Sequence, residues 1–283
     1  MRRSTTSAAT DRLRLGLLLL AELILAATLV GRQQAAPHPS TPVTAPAALS
    51  TPAAAATTLT LPDGRSVHLV DLLCSNRAHC LGGQRTTPLL TRIAGQIGEA
   101  AEAVTAFWGA DWPRDIVIAA AGSDEQFAAL AGGGSDIAAS TTAQHIVFAP
   151  GATAMSAGAL RIVLRHELFH YAARSATAAD APRWLTEGVA DFVARPPTPP
   201  AAGALALPTD ADLATAGPAR SAAYDRAWLF TRYVADRYGT AALRALYVRA
   251  CGAGHPDVAT AVHDILGDDM DVVLTRWRQW LAG

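Results

Sequence analysis

The sequence predicts an α+β domain in which a small amino-terminal sheet precedes a mainly helical lobe. Three observations carry this reading. Strand-like runs are confined to the part of the chain before residue 150, and apolar residues at helical spacings of three and four dominate after residue 156. About 225 residues remain once the amino-terminal stretch is set aside, enough for a single domain of this kind.

That stretch has two parts. Arg2, Arg3, Arg12 and Arg14 precede an apolar run from Leu15 to Val30 that is broken only by Glu22, and Arg32 closes it. A basic flank before such a run predicts a membrane anchor or signal segment over residues 1–32, with the rest of the chain outside the cytoplasm. The run is near the lower length limit for a span, and the reading favours a retained anchor in the cell membrane. Ala26, Ala27, Ala35 and Ala36 keep secretion after signal cleavage as the alternative. Residues 33–58 are almost entirely Ala, Pro, Thr and Ser, a composition that cannot repay its ordering entropy and is expected to form a disordered linker. The folded, extracytoplasmic part is then 59–283.

Alternation on either side of Pro62-Asp63-Gly64 predicts a hairpin over Thr58 to Val70. Leu89, Ile93, Ile97, Ala100, Val104 and Phe107 give one helix from Pro88 to Trp108. Asp115 to Ala121 reads as a strand, Ser123 to Ala131 as a capped helix, and His145 to Ala149 as a second strand stopped by Pro150-Gly151. Ser156 caps a long helix reaching about Arg174, and Arg183 to Ala194 forms the next, ended by prolines from Pro196 onward. Leu205 to Pro218 reads as loop. Tyr224 to Tyr238, Thr240 to Ala250 and Met270 to Leu281 read as helices.

All 23 basic residues are arginine, so lysine-dependent phosphate loops and Schiff-base chemistry are excluded. A net charge of −1 gives no basic field for nucleic acid, and no nucleic-acid partner is expected. Gly132-Gly133-Gly134 lacks a following GK[ST] and reads as a helix stop. Cys74 and Cys80 lie close enough for a short-loop disulfide in an exported protein, with a metal site using His79 as the alternative, and Cys251 is left over.

The long helix contains HELFH. Histidines four apart lie on one helix face, one turn above the other, so His166 and His170 can both ligate one zinc ion while Glu167 reaches a water that the ion activates. A catalytic zinc needs a third protein ligand. Ala173 and Ala176 stand where a metzincin continuation needs Gly and His, so the ligand is sought on the following helix. Glu187 in RWLTEGVADF supplies it, and Asp191 lies one turn further on, placed to accept the other ring proton of a ligand histidine.

HELFH followed by WLTEGVADF resembles the gluzincin superfamily of zinc metallopeptidases, most of all the bacterial peptidase MA-like domains, whose pattern is HELxH followed by WxxEGxA. The resemblance implies a gluzincin-like zincin domain that binds Zn2+ through His166, His170 and Glu187, with Glu167 as general base and Asp191 supporting a histidine. It implies an edge strand before the active-site helix that pairs with extended substrate, a place held by His145 to Ala149. No exopeptidase signature of the GAMEN type stands upstream, so an endopeptidase acting on a peptide or protein substrate is expected. Tyr224 is the candidate for stabilising the oxyanion, with His255 second. The alternative function is a catalytically inactive zincin-fold binding or scaffold protein at the cell envelope.

Overall fold

The computed structural model describes residues 56–72, 87–132, 136–198 and 206–283. The segment 1–32, residues 33–55 of the expected linker, Gly133-Gly134 and the Cys74–Cys80 pair lie outside these residues.

Two expectations are overturned. Among the described residues no helix is long and apolar enough to cross a membrane. The expected transmembrane helix, the membrane as partner and the single-span location in the cell membrane are corrected accordingly. The one described helix of spanning length, Pro218–Tyr238, carries six charged side chains: Arg220, Asp225, Arg226, Arg232, Asp236 and Arg237. No disulfide is present among the described residues either: Cys251 is a free thiol, fully buried in the helical core.

The sheet has five strands in the order β1-β2-β3-β5-β4. β1 (Ala56–Thr60) and β2 (Ser66–Leu72) form the predicted hairpin, so the first strand begins inside the stretch read as linker. β3 (Asp115–Ala121) runs parallel to β2, and β5 (Ile146–Phe148) parallel to β3. β4 (Ala139–Thr141) pairs antiparallel with β5, Thr141 opposite Ile146, and forms the edge. The strand expected at the edge, His145 to Ala149, is therefore interior, and its fully buried Ile146, Val147 and Phe148 suit that position.

Two helices cover the span read as one. α1 (Thr87–Ala94) stops at Gly95, and α2 (Ile97–Trp108) starts afresh after Gln96. α3 (Asp124–Ala131) has the expected cap, with Ser123 accepting from the Gln126 amide. α4 (Ala157–Ala173) starts where the Ser156 hydroxyl accepts the Ala159 amide at 3.1 Å. α5 (Arg183–Ala194) follows Pro182. The stretch read as loop contains α6 (Asp210–Ala214), opened by a capping box of Thr209 and Asp212. α7 (Pro218–Tyr238) starts a turn and a half before Tyr224, which consequently sits inside the helix rather than opening it. α8 (Thr240–Cys251), α9 (Val258–Leu266) and α10 (Met270–Ala282) complete the lobe, α9 being a helix that sequence periodicity missed.

The two halves share one core. Phe169 on α4 meets Trp108 of α2 at 5.7 Å and Tyr247 of α8 at 5.4 Å, both edge to face. Fully burying one such ring contributes about 2–3 kcal/mol. Leu168 and Phe169 thus turn inward, which leaves the flanking histidines on the remaining face of α4. Tyr171 anchors the end of the same helix to the sheet, its hydroxyl donating to the Asp115 carbonyl at 2.7 Å.

Candidate metal centre

α4 brings His166 and His170, and α5 packs against it to bring Glu187. His166 Nε2 stands 3.0 Å from His170 Nε2 and 3.2 Å from Glu187 Oε2, and His170 Nε2 is 3.5 Å from that same oxygen. Four donors around zinc at about 2.0–2.1 Å lie roughly 3.3 Å apart. The triangle therefore has the size of one face of a zinc tetrahedron. Its chemistry agrees, since two ring nitrogens facing each other beside a carboxylate oxygen are satisfied together by a cation that all of them can ligate. His166 and Glu187 are buried, whereas the His170 side chain keeps 13% of its surface exposed, so the cluster opens on the His170 side.

α5 reaches this position because it lies tightly on α7. A Cβ at Gly188 would stand 2.7 Å from the Ala227 carbonyl oxygen, and Thr231 donates to the Gly188 carbonyl at 2.9 Å. The glycine after the third ligand is thus where the two helices make their close approach.

Behind the triad, His166 Nδ1 donates to Asp191 Oδ1 at 3.1 Å. Asp191, 1% exposed, also accepts from Arg195 at 3.1 Å, and Arg195 reaches on to Asp225 at 2.7 Å while stacking 4.1 Å above the Trp228 ring. Burial works against the Arg195 charge, but Asp191 and Asp225 outweigh it and raise its pKa. The acid that orients His166 is therefore itself fixed. Arg195 and Asp225 were not singled out from sequence, although Arg195, one turn after Asp191, carried a local signal.

Glu167 is buried beside the edge strand. Thr141 Oγ1 lies 2.7 Å from Glu167 Oε2 and 2.9 Å from the Glu167 carbonyl, so the tip of β4 holds this carboxylate. No local pattern marks Thr141. Tyr224 is 3% exposed, and its hydroxyl has no hydrogen-bond partner. Burial, followed by the negative charge of Glu187, raises its pKa well above the ordinary tyrosine value and keeps it a donor. His255 does not join the cluster: its Nδ1 faces the Pro256 carbonyl at 2.8 Å and its Nε2 stands 3.6 Å from Asp180.

Without metal, burial disfavours a charged His166. Its hydrogen bonds to Asp191 and Glu187, and their charges, outweigh burial and push its pKa from 6.5 up to about 10. Burial likewise opposes the Glu187 charge, but His170 and His166 hold its carboxyl well below the usual range. The raised His166 pKa contributes stability that is complete below pH 6.5 and lost as pH rises through about 10. A ligating imidazole must be neutral, so metal and proton compete. Zinc uptake at pH 8 is expected to expel about one proton per ion from His166, with affinity rising as pH approaches 10. Calorimetric titration in buffers of differing ionisation enthalpy measures that number.

No protein-family model and no curated protein matches the chain. Among solved structures, an M1 zinc metallopeptidase from Deinococcus radiodurans is similar, with 16% identity and a TM-score of 0.47 over 78% of this chain and 50% of that one. A variant M1 zinc metallopeptidase from the same organism, bound to a Tyr-Ser-Ala substrate, is similar at 18% identity and a TM-score of 0.45, over 80% of this chain and 51% of that one. The chain spans about half the length of these structures. In this chain a small sheet precedes a helical lobe in which a helix bearing HELFH and a glutamate from the next helix bring a His-His-Glu triad together, the arrangement of a zincin-like α+β domain.

Proposed function

We propose that the protein hydrolyses peptide bonds in a zinc-dependent reaction and that it acts as an endopeptidase. The observation that carries the reading is the convergence of His166, His170 and Glu187 at zinc-ligand spacing, with Glu167 next to the first ligand on the same helix. A zinc ion held by those three residues supplies Lewis-acid activation of water and of the peptide carbonyl. The reading takes residues 59–283 as the catalytic unit.

The remaining steps belong to the chain. Glu167, its carboxylate held by Thr141, takes a proton from the attacking water as oxygen bonds to the carbonyl carbon. It passes that proton to the amide nitrogen as the C–N bond breaks, so the products are a carboxylic acid and an amine. Tyr224, buried and without a partner, donates to the oxygen on which negative charge develops. Asp191 keeps the His166 Nδ1 proton in place, leaving Nε2 free to ligate. The free side of β4 is available to extended substrate. The endopeptidase assignment draws on the absence of a GAMEN-type signature upstream.

The test is metal dependence on a mixed peptide library. The full chain is expected to cleave internal bonds, to lose all cleavage after dialysis against a chelator, and to regain it when zinc is returned at one equivalent. Cleavage that survives metal removal would refute the reading.

A further inference from the structure

Arg183 opens α5 one turn before Glu187, on the same side of the helix. It is 8% exposed, and both its Nε and its Nη2 are buried with no hydrogen-bond partner. Four other arginines also bury an unpartnered Nε, but each has an acid beside it: Asp63 for Arg65, Glu99 for Arg165, Asp136 for Arg220 and Asp212 for Arg226. Arg183 has no carboxylate within ion-pair distance among the described residues. The internal segments outside them, 73–86, 133–135 and 199–205, contain no Asp or Glu that could serve.

A buried guanidinium left in this state is costly, and an unpaired buried charge of this kind calls for a ligand. The two orphaned atoms identify its class. Nε–H and Nη2–H are the pair of guanidinium donors that run parallel, and two parallel N–H groups match the two oxygens of a carboxylate. The position is also right. Arg183 precedes Glu187 by four residues on α5, so its side chain leaves the helix on the face that carries the proposed third ligand.

We propose that Arg183 is a receptor for a carboxylate carried by the peptide substrate close to the bond that is cut. This rests on the peptidase reading and adds a substrate class to it: peptides bearing an acidic side chain near the scissile bond, or a chain end whose free α-carboxylate lies there, the second of which would make the cut an exopeptidase one. Arg183 binds and aligns; it moves no proton.

Two matched peptide pairs separate the sources, one with Glu against Gln beside the cleaved bond, the other with a free carboxyl against a carboxamide end. The zinc-loaded full chain is expected to prefer the carboxylate member of one pair by about 10- to 100-fold in kcat/KM, chiefly through KM. Arg183→Gln should abolish that preference. Arg183→Lys, which keeps the charge but not the fork, should retain only part of it. Arg183→Met removes an unpaired buried charge and should melt no lower than the wild type. Equal use of both members of both pairs, a preference that survives in Arg183→Gln, or a lowered melting temperature in Arg183→Met would each overturn the assignment. Calorimetric binding of N-acetylalanine against N-acetylalaninamide tests the receptor without catalysis. A peptide panel left uncut would refute the peptidase reading, whereas equal carboxylate binding by the wild type and Arg183→Gln would refute the Arg183 site alone.

Discussion

Glu167→Gln is expected to lower kcat by about 10²- to 10⁴-fold with zinc content unchanged, the range typical for loss of a positioned general base. The amide has nearly the volume of the carboxylate, and Thr141 can still hydrogen-bond to it in the pocket beside β4. What the amide cannot do is take the water proton and deliver it to the leaving nitrogen. The three proposed ligands are untouched by the change, so metal occupancy and catalysis separate. Single-turnover rates on a quenched peptide, read beside metal analysis of the same sample, make the measurement. A variant that keeps both zinc and rate would remove Glu167 from the mechanism.

His166→Ala is expected to lose near-stoichiometric zinc together with all activity, and to cost about 3 kcal/mol of stability even without metal. The first effect follows from removing one of three protein ligands. The second follows from Asp191, which is 1% exposed and keeps Arg195 but loses the ring it was oriented on. Breaking a buried ionic contact from one side leaves an incompletely compensated charge. Urea melts with and without zinc separate the two contributions. Zinc should raise the wild-type midpoint by mass action and leave that of His166→Ala where it was.

The parts of the site that were legible in sequence are those whose signal is local. The i, i+4 pair of His166 and His170, the glutamate of the next helix and Asp191 one turn beyond it all lie on two helices whose caps and stops are written nearby, in Ser156, Pro182 and the prolines after Arg195. β4 was invisible because it spans only Ala139–Thr141, too short for alternation, and its pairing with β5 is settled in space. Thr141 was missed with it. The same limit moved the edge from 145–149 to 139–141. Gly95 ends α1 within an apolar spacing that reads as continuous, because its break is made by backbone geometry and leaves the periodicity intact. Arg183 was read only as the start of a helix, since the lack of a partner is a property of the folded surroundings. The amino-terminal hydropathy pattern and the cysteine spacing pointed to a membrane helix and a disulfide, neither of which occurs among the described residues.

The close contact at Gly188 bears on how this chain can drift. Its composition is pulled toward alanine, with 63 in 283 residues. A change from glycine to alanine needs one nucleotide and is harmless, even favourable, on most of a helix. At 188 the added methyl would sit 2.7 Å from the Ala227 oxygen and 3.0 Å from the Thr231 methyl. Helix α5 would have to lift from α7, carrying Glu187 away from the histidines. A substitution that is mild on most of a helix is thus closed at the residue that follows the third ligand, and drift elsewhere in the lobe is free only where it leaves that helix seated.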